Sequence, residues 1–290
     1  MMELTVKAYG KINLSLDVIR KLPSGFHDMR MVMETVELHD NIHITISEGE
    51  GVTMESNLPF LPSDSRNIAV KAVHVFFEEL SLPKKHVAIK LHKRIPVAAG
   101  MAGGSANAAA VLRGLNTLLE TGLSKEELMC LGEKLGSDVP YCVIGGTQLA
   151  EGRGEVLTAL PPLPDCHIVI CKPKFFISTP ELFSRIDCNK IRYRPDTGGL
   201  LHGLRTRSLS QVAMRLFNVF EDVLADRGRE IGQIKSTLLH AGASGAAMTG
   251  TGPTVFGLFD NEADANLAYA QLKEHYRETF LTKNYSESLV

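Results

Sequence analysis

Several features that would assign this chain to a specialised class are missing. No apolar run approaches the roughly 20 residues that a membrane-spanning helix needs, and the N-terminal MMELTVKAYGKIN lacks the apolar core of a signal peptide. Lys and Arg total 31 against 33 Asp and Glu, so there is no global basic field for nucleic acid or anionic membrane. We therefore expect a cytoplasmic protein without nucleic-acid or membrane partners, whose anion sites are local.

The cysteines do not form a pattern that is typical of disulfides or of a metal site. The five cysteines are odd in number and form no CxxC pair, which favours a reduced, cytosolic protein and argues against a structural zinc site. Internal repeats and low-complexity tracts are absent as well. What remains is ordinary globular composition, with 44% hydrophobic and 22% charged residues. A length of 290 residues predicts two domains, since domains typically span about 100–200 residues.

Periodicity predicts an α+β fold, because strands and helices are mixed without a regular βαβ rhythm. Ile12, Leu14, Leu16 and Val18 alternate as the core face of one strand. Further strands are predicted at 31–38, 41–47, 87–92, 167–171 and 254–259. Helices are predicted after an Asn67 cap (68–80), after the small-residue loop near 105, from a Ser124–Glu127 capping box to Gly136, and at 208–226, 229–240 and 262–276. The proline-dense ALPPLPD, residues 159–165, is the predicted domain junction.

The segment RIPVAAGMAGGSANAAAVLRGLN, residues 94–116, changes from strand-like to small residues and then to an apolar helix. Unpaired N–H groups at a helix start bind phosphate well, and small residues would let a triphosphate approach the backbone. The alternative is tight helix packing, with Ser105 as a plain cap. The segment fits neither GxxxxGK[ST] nor GxGxxG, so composition leaves both interpretations open.

Three other positions attract attention. A second glycine cluster, GTGP at 250–253, precedes an apolar strand and on its own is typical of a turn; two such loops in one chain favour a shared ligand cleft. Asp138 precedes Pro140 and is predicted in a rigid, exposed bend, as a turn residue or as a base. Lys11 shares a strand face with Asn13, where a lysine is usually solvated.

Three separated segments together match one pattern: AYGKINLSLDVIRKLPSGFHDM, PVAAGMAGGSANAA and MTGTGPTVFGLF. Their order and spacing, over nearly the whole chain, resemble the GHMP small-molecule kinases. That resemblance implies a two-domain α+β fold with a cleft between the domains. The N-terminal α/β nucleotide-binding domain would span residues 1–160, and a ferredoxin-like α/β domain on the substrate side would span 161–290.

Within this family, KINLSLDV, GFHDM and GSDVPYC are most similar to the members that act on a cytidyl diphosphate-linked methylerythritol in the non-mevalonate route to isoprenoid precursors. The resemblance implies transfer of the γ-phosphoryl group of ATP to the 2-hydroxyl of that small-molecule substrate, with Mg²⁺ bridging the phosphates. We expect a monomer or a weak homodimer. The alternatives are a homoserine-type or mevalonate-type kinase, or a non-catalytic nucleotide-binding regulator.

Site roles follow from the same resemblance. Asp138 would be the catalytic base and Lys11 its charged neighbour, which favours the carboxylate form. The implied substrate contacts are Asn13 at the methylerythritol end, Phe26 and Phe183 around cytosine, His27 at the cytosine edge, and Thr179 nearby. The residues implied to wrap the ATP phosphates are Pro96, Val97, Ala98, Ala99, Gly100, Met101, Ala102, Gly103, Gly104, Ser105 and Ala106. Asn67 and Lys93 are implied on the adenine side, and the Ser105 hydroxyl at the metal.

The chain departs from the family pattern at three of these positions. Relatives often have Gly-Leu-Gly-Gly-Gly-Ser-Ser-Asn where this chain reads GMAGGSAN. Ala102 narrows the backbone freedom there, and Ala106 lacks a hydroxyl that could touch phosphate or metal. Phe26 replaces a common tyrosine, which keeps a stacking surface and loses a hydrogen bond. These departures bear on ATP geometry and affinity.

Overall fold

The computed structural model describes residues 1–285 and 289 and contains two β-sheets. The first sheet is built on the long antiparallel pair of β1 and β2, with strand order β3-β4-β2-β1-β8, while β5 pairs with β2 and β6 with β5. Its strands are β1 (Met2–Lys21), β2 (His27–Ser47), β3 (Gly51–Ser56), β4 (His86–His92), β5 (Gln148–Gly152), β6 (Val156–Ala159) and β8 (Phe217–Asn218). The strands predicted at 31–38 and 41–47 are therefore parts of one strand, β2.

The second sheet is fully antiparallel. It comprises β7 (His167–Lys172), β9 (Gly245–Met248), β10 (Val255–Phe259) and β11 (Glu278–Lys283) in the order β11-β7-β10-β9. Counted along the chain this is the 4-1-3-2 order of a ferredoxin-like sheet, which confirms the predicted fold class. The boundary at 160/161 stays a prediction, although every strand of this sheet follows residue 166.

Helices cover both sheets: α1 (Ile68–Glu79), α2 (Gly103–Leu118), α3 (Lys125–Glu133), α4 (Val139–Ile144), α5 (Thr179–Arg185), α6 (Thr197–Arg205), α7 (Leu209–Ala213), α8 (Gly228–His240) and α9 (Glu262–His275). The Asn67 side chain caps α1 by accepting from Ala69 N–H, and Ser124 and Glu127 form the predicted capping box. The third helix ends at Glu133, one turn earlier than Gly136.

The helix predicted at 208–226 is wrong. Only Leu209–Ala213 is α-helical, and the chain then forms β8 and two short 3₁₀ turns. Asn218 explains the break, because its side chain accepts from Phe220 N–H and donates to the carbonyls of Met248 and Gly250. These tertiary bonds replace the helical ladder that the apolar spacing suggested.

Strand β1 changes face in its middle. A register shift against β2 lies between Asn13 and Ser15, and such a bulge reverses which side chains point to each face. Ile12 and Leu14 therefore pack in one core cluster, whereas Leu16 and Val18 pack in the other. The prediction that all four face one core is wrong, and both faces of this stretch are buried.

Candidate active site

A cleft of about 830 Å³ lies where the loops of the two sheets meet. One end is formed by the loop after β4, the start of α2 and the bend before α4; the other end is aromatic. Predicted site residues that line it are Lys11, Phe26, His27, Ala98, Gly100, Ala102, Ser105, Asp138, Thr179 and Phe183. The structure thus brings together residues that are separated along most of the chain.

Helix α2 begins in this cleft without a side-chain cap. Its N-cap is Ala102, which adopts a left-handed conformation (φ 55°) and makes no capping hydrogen bond, and no acidic residue occupies the first turn. For a residue other than glycine this conformation costs about 1 kcal/mol. The first-turn N–H groups from Gly103 to Ser105 have no intrahelical acceptor, and the helix dipole adds positive potential there. The arrangement suits an anion.

The small residues of this loop also serve packing inside the protein. A Cβ atom on Gly100 would lie 2.2 Å from the Thr249 carbonyl oxygen, and one on Gly103 would lie 3.0 Å from Lys93 Nζ. Tight packing therefore explains two of the glycines. Ser105 is not a cap, since it lies inside the first turn of α2 and lines the cleft. Pro96, Ala99, Met101 and Ala106 are buried beneath the loop.

Lys11 is buried, with only 4% of its surface exposed, contrary to the usual solvated strand lysine. Its ammonium donates to Asn13 Oδ1 (2.7 Å) and to the Gly100 carbonyl (2.9 Å). Burial lowers the pKa of Lys11, and the negative charge of Asp138 opposes that shift. Asp138 is half-buried rather than exposed, at the N-cap of α4. Among the described residues the two form no direct ion pair, and the Asp138 carboxylate has no hydrogen-bond partner.

Asn13 lies beneath the cleft and is fully buried, so the structure does not place it in the lining. Its Oδ1 accepts from Lys11, from Gly250 N–H (2.9 Å) and from the Thr249 hydroxyl (3.2 Å). Its own N–H donates to that hydroxyl (3.0 Å). A direct contact of Asn13 with substrate is therefore unsupported by this geometry; Asn13 joins β1 to the glycine loop at 249–252.

The aromatic end of the cleft differs from a simple pair of facing rings. Phe183 stacks on His27 at a centroid distance of 4.9 Å and meets Phe220 edge-on. Phe26 is 56% exposed, and the Arg153 guanidinium lies 5.5 Å from its ring centroid. Partial burial and the positive charge of Lys21 lower the pKa of His27, which favours a neutral imidazole at neutral pH.

Asn67 and Lys93 are not in the lining of the cleft. The Asn67 side chain caps α1 and donates to the Pro62 carbonyl. Lys93 is buried and its ammonium pairs with Asp40. Both side chains are thus occupied by protein groups, and their predicted adenine contacts have no support from this structure.

Sequence reasoning missed several cleft residues. Arg153, Lys21 and Thr251 line the cleft, and the Thr251 and Thr179 hydroxyls share a hydrogen bond (3.0 Å). Thr251 belongs to the GTGP cluster at 250–253. The predicted ligand cleft between the two glycine-rich loops was therefore a signal that could have indicated Thr251 as a cleft residue. Nothing in the local pattern around Arg153 distinguishes it from a solvated arginine. Over residues 1–285 and 289, no group of three or more His, Cys, Asp or Glu forms a metal site.

Comparison with known proteins agrees with this architecture. Residues 67–146 match the model for the GHMP kinases N terminal domain, and residues 200–278 match GHMP kinases C terminal. In the part of the chain that the structure describes, no helix is long and apolar enough to cross a membrane.

Curated relatives and a solved structure give the same result. A Lachnoclostridium phytofermentans protein named 4-diphosphocytidyl-2-C-methyl-D-erythritol kinase is 45% identical, covering 97% of each chain. A protein of the same name from Acetivibrio thermocellus is 44% identical over 98% of this chain and 99% of its own. A crystal structure of 4-(cytidine 5'-diphospho)-2C-methyl-D-erythritol kinase superposes with a TM-score of 0.84 at 25% identity, covering 98% of this chain and 100% of that one. The chain belongs to the GHMP kinases, in the family of relatives named 4-diphosphocytidyl-2-C-methyl-D-erythritol kinase.

Proposed function

We propose that this protein transfers the γ-phosphoryl group of ATP to the 2-hydroxyl of 4-diphosphocytidyl-2-C-methyl-D-erythritol, giving the 2-phosphate and ADP in the synthesis of isoprenoid precursors. The observation that carries the proposal is the composition of one cleft. It combines an uncapped helix start, a buried ammonium, a half-buried carboxylate and an aromatic end. The names of the relatives support this choice of substrate.

The start of α2 supports the nucleotide assignment. Ala98, Gly100, Ala102 and Ser105 line the cleft with small side chains, so a polyphosphate can approach the backbone N–H groups closely. The Ser105 hydroxyl has no protein hydrogen-bond partner among the described residues, and it is available to a phosphate oxygen. The donors therefore fit a triphosphate, whose negative charge the helix dipole also favours.

Magnesium fits this cleft only together with the nucleotide. Mg²⁺ is commonly held by substrate phosphates and one or two protein oxygens, and the Ser105 hydroxyl is a side-chain oxygen at the phosphate end that would hold it. When bound, the ion would neutralise charge on the transferring group. The absence of a three-residue metal cluster from the described residues agrees with a nucleotide-borne ion.

Asp138 and Lys11 have separate roles in the proposed reaction. As the substrate oxygen bonds to the γ-phosphorus, its proton passes to the Asp138 carboxylate, and the bond to the ADP oxygen breaks. Asp138 suits a base because no cation or hydrogen-bond donor among the described residues occupies its oxygens. The Lys11 ammonium, which already donates to two protein carbonyl oxygens, stabilises the negative charge of the transferring group.

The aromatic end of the cleft supports the cytidyl part of the proposed substrate. Phe26 presents an exposed ring, and Phe183 is held against His27, so a base can stack on these surfaces. Arg153 and Lys21 add positive charge at this end, which suits a diphosphate-linked substrate. Neither homoserine nor mevalonate carries a base that would use this surface.

A coupled ADP-release assay tests the proposal, with the cytidyl compound, homoserine and mevalonate as acceptors. We expect ADP release with the cytidyl compound alone. Asp138→Asn should lower kcat by at least about 100-fold while the Kd for ATP stays unchanged. Glu133→Gln, an exposed carboxylate at the end of α3, is the control and should retain full turnover. Full turnover by Asp138→Asn would remove Asp138 as the base, and turnover of another acceptor would reject the substrate assignment.

A further inference from the structure

Asp40 lies on β2, fully buried, and its carboxylate collects four hydrogen bonds from one region of the chain. Oδ1 accepts the backbone N–H groups of Arg94 (2.7 Å) and Ile95 (2.8 Å). Oδ2 accepts the Lys93 ammonium and the Asn107 carboxamide (2.8 Å). Every donor of this set belongs to the segment that begins after β4 and ends in α2.

These donors lie on the two sides of the loop at 93–102. Lys93, Arg94 and Ile95 come directly after β4, whereas Asn107 is in the second turn of α2. The Lys93 ammonium also donates to Asn107 Oδ1 (3.3 Å). It packs so closely behind α2 that a Cβ atom on Gly103 would lie 3.0 Å from it. Asp40 therefore closes the base of the loop and fixes the first turn of α2 against β4.

We propose that Asp40 is a positioning residue for the loop at 93–102, which leads into the proposed phosphate site. Asp40, Lys93 and Asn107 together form what we call the clamp. The inference rests on the proposed function, because it assigns a purpose to the open N–H groups from Gly103 to Ser105. Asp40 does not line the cleft, so it acts only by holding the loop. A carboxylate is needed at this position because a buried ammonium without a counter-charge is strongly destabilising.

The clamp predicts a selective loss of nucleotide binding. Asn107→Ala removes the arm that reaches α2 and leaves the Asp40–Lys93 pair in place. We expect it to raise both the KM and the Kd for ATP about 10-fold, a loss typical of one hydrogen bond to a charged group. The KM for the cytidyl substrate should stay within about twofold. Asp40→Asn, which leaves Lys93 without its counter-charge, should show a larger effect of the same kind.

Glu34→Gln is the matched control. Glu34 is on the same strand and equally buried, and its Oε2 accepts a hydrogen bond from the Thr147 hydroxyl rather than from the loop. Its KM for ATP should equal that of the unmutated protein. An unchanged ATP Kd in Asn107→Ala would overturn the clamp, as would an equal rise of both KM values, since that indicates general loosening.

Two further outcomes are distinguishable. If Asp40→Asn does not fold, Asn107→Ala alone decides. If the unmutated protein releases no ADP with any acceptor, the proposed function fails, while isothermal titration of ATP into the unmutated protein and Asn107→Ala still tests the clamp.

Discussion

Glu34 should make the stability of this protein fall as pH rises through the neutral range. The residue is fully buried on β2; the Thr147 hydroxyl donates to Oε2, and within the described residues Oε1 has no hydrogen-bond partner. Burial raises the pKa of Glu34 from 4.5 to about 8, and the Thr147 bond only partly opposes this. The folded protein therefore keeps a proton that the unfolded chain releases.

The sign and size of the effect follow from proton linkage. Between about pH 4.5 and pH 8 the folded state binds one proton more at Glu34 than the unfolded state does. The free energy of unfolding then decreases by about 1.4 kcal/mol for each pH unit in that window. From pH 5.5 to pH 7.5 the contribution of Glu34 is a loss of about 3 kcal/mol. Above pH 8 the loss stops growing.

Urea unfolding of the unmutated protein and of Glu34→Gln at pH 5.5, 6.5 and 7.5 measures this contribution. Glutamine has no proton to lose, so the difference between the two free energies of unfolding should change by about 3 kcal/mol across the series, with the unmutated protein favoured at low pH. Using the difference cancels groups that titrate in both proteins. Parallel pH profiles would refute the reasoning, because they would mean that Glu34 ionises in the folded state as readily as in water.

Three other changes test the cleft. Phe26→Ala should raise the KM for the cytidyl substrate about 10-fold and leave the KM for ATP unchanged, because the Phe26 ring stacks only on the cytosine. Equal rises of the two KM values would argue against stacking. Lys11→Met should lower kcat at least about 100-fold with a smaller effect on either KM, measured by ADP release. Gly100→Ala should lower the urea midpoint, since its Cβ would lie 2.2 Å from the Thr249 carbonyl oxygen in a positive-φ position (73°); a midpoint equal to that of the unmutated protein would show that the two loops are not in tight contact.

Local rules predicted the parts of the fold that depend on neighbouring residues. The Asn67 cap and the Ser124–Glu127 capping box need only a few consecutive positions, and both are present in the structure. Helices α8 and α9 and strand β10 likewise follow from periodicity. The predicted site residues came from the family resemblance instead, and two of them, Asp138 and Ser105, line the same cleft.

The failures share one cause, which is contact between distant segments. Lys93 is buried because its ammonium pairs with the Asp40 carboxylate, 53 residues earlier. No local sequence pattern predicts such a pair. Asn218 breaks the expected helix through bonds to carbonyls 30 and 32 residues later. The change of face along β1 depends on its register shift against β2. Buried polar side chains with partners far along the chain are thus where periodicity misleads.

The junction of the two glycine loops fixes the floor of the cleft. The Gly100 carbonyl oxygen accepts a hydrogen bond from the Lys11 ammonium, and a Cβ atom on Gly250 would lie 2.6 Å from the same oxygen. The Asn13 side chain, on β1, accepts hydrogen bonds from both Thr249 and Gly250. Separating the two glycine loops would break these buried hydrogen bonds at a place where water does not replace them. The floor of the cleft is therefore held in one position before any ligand binds.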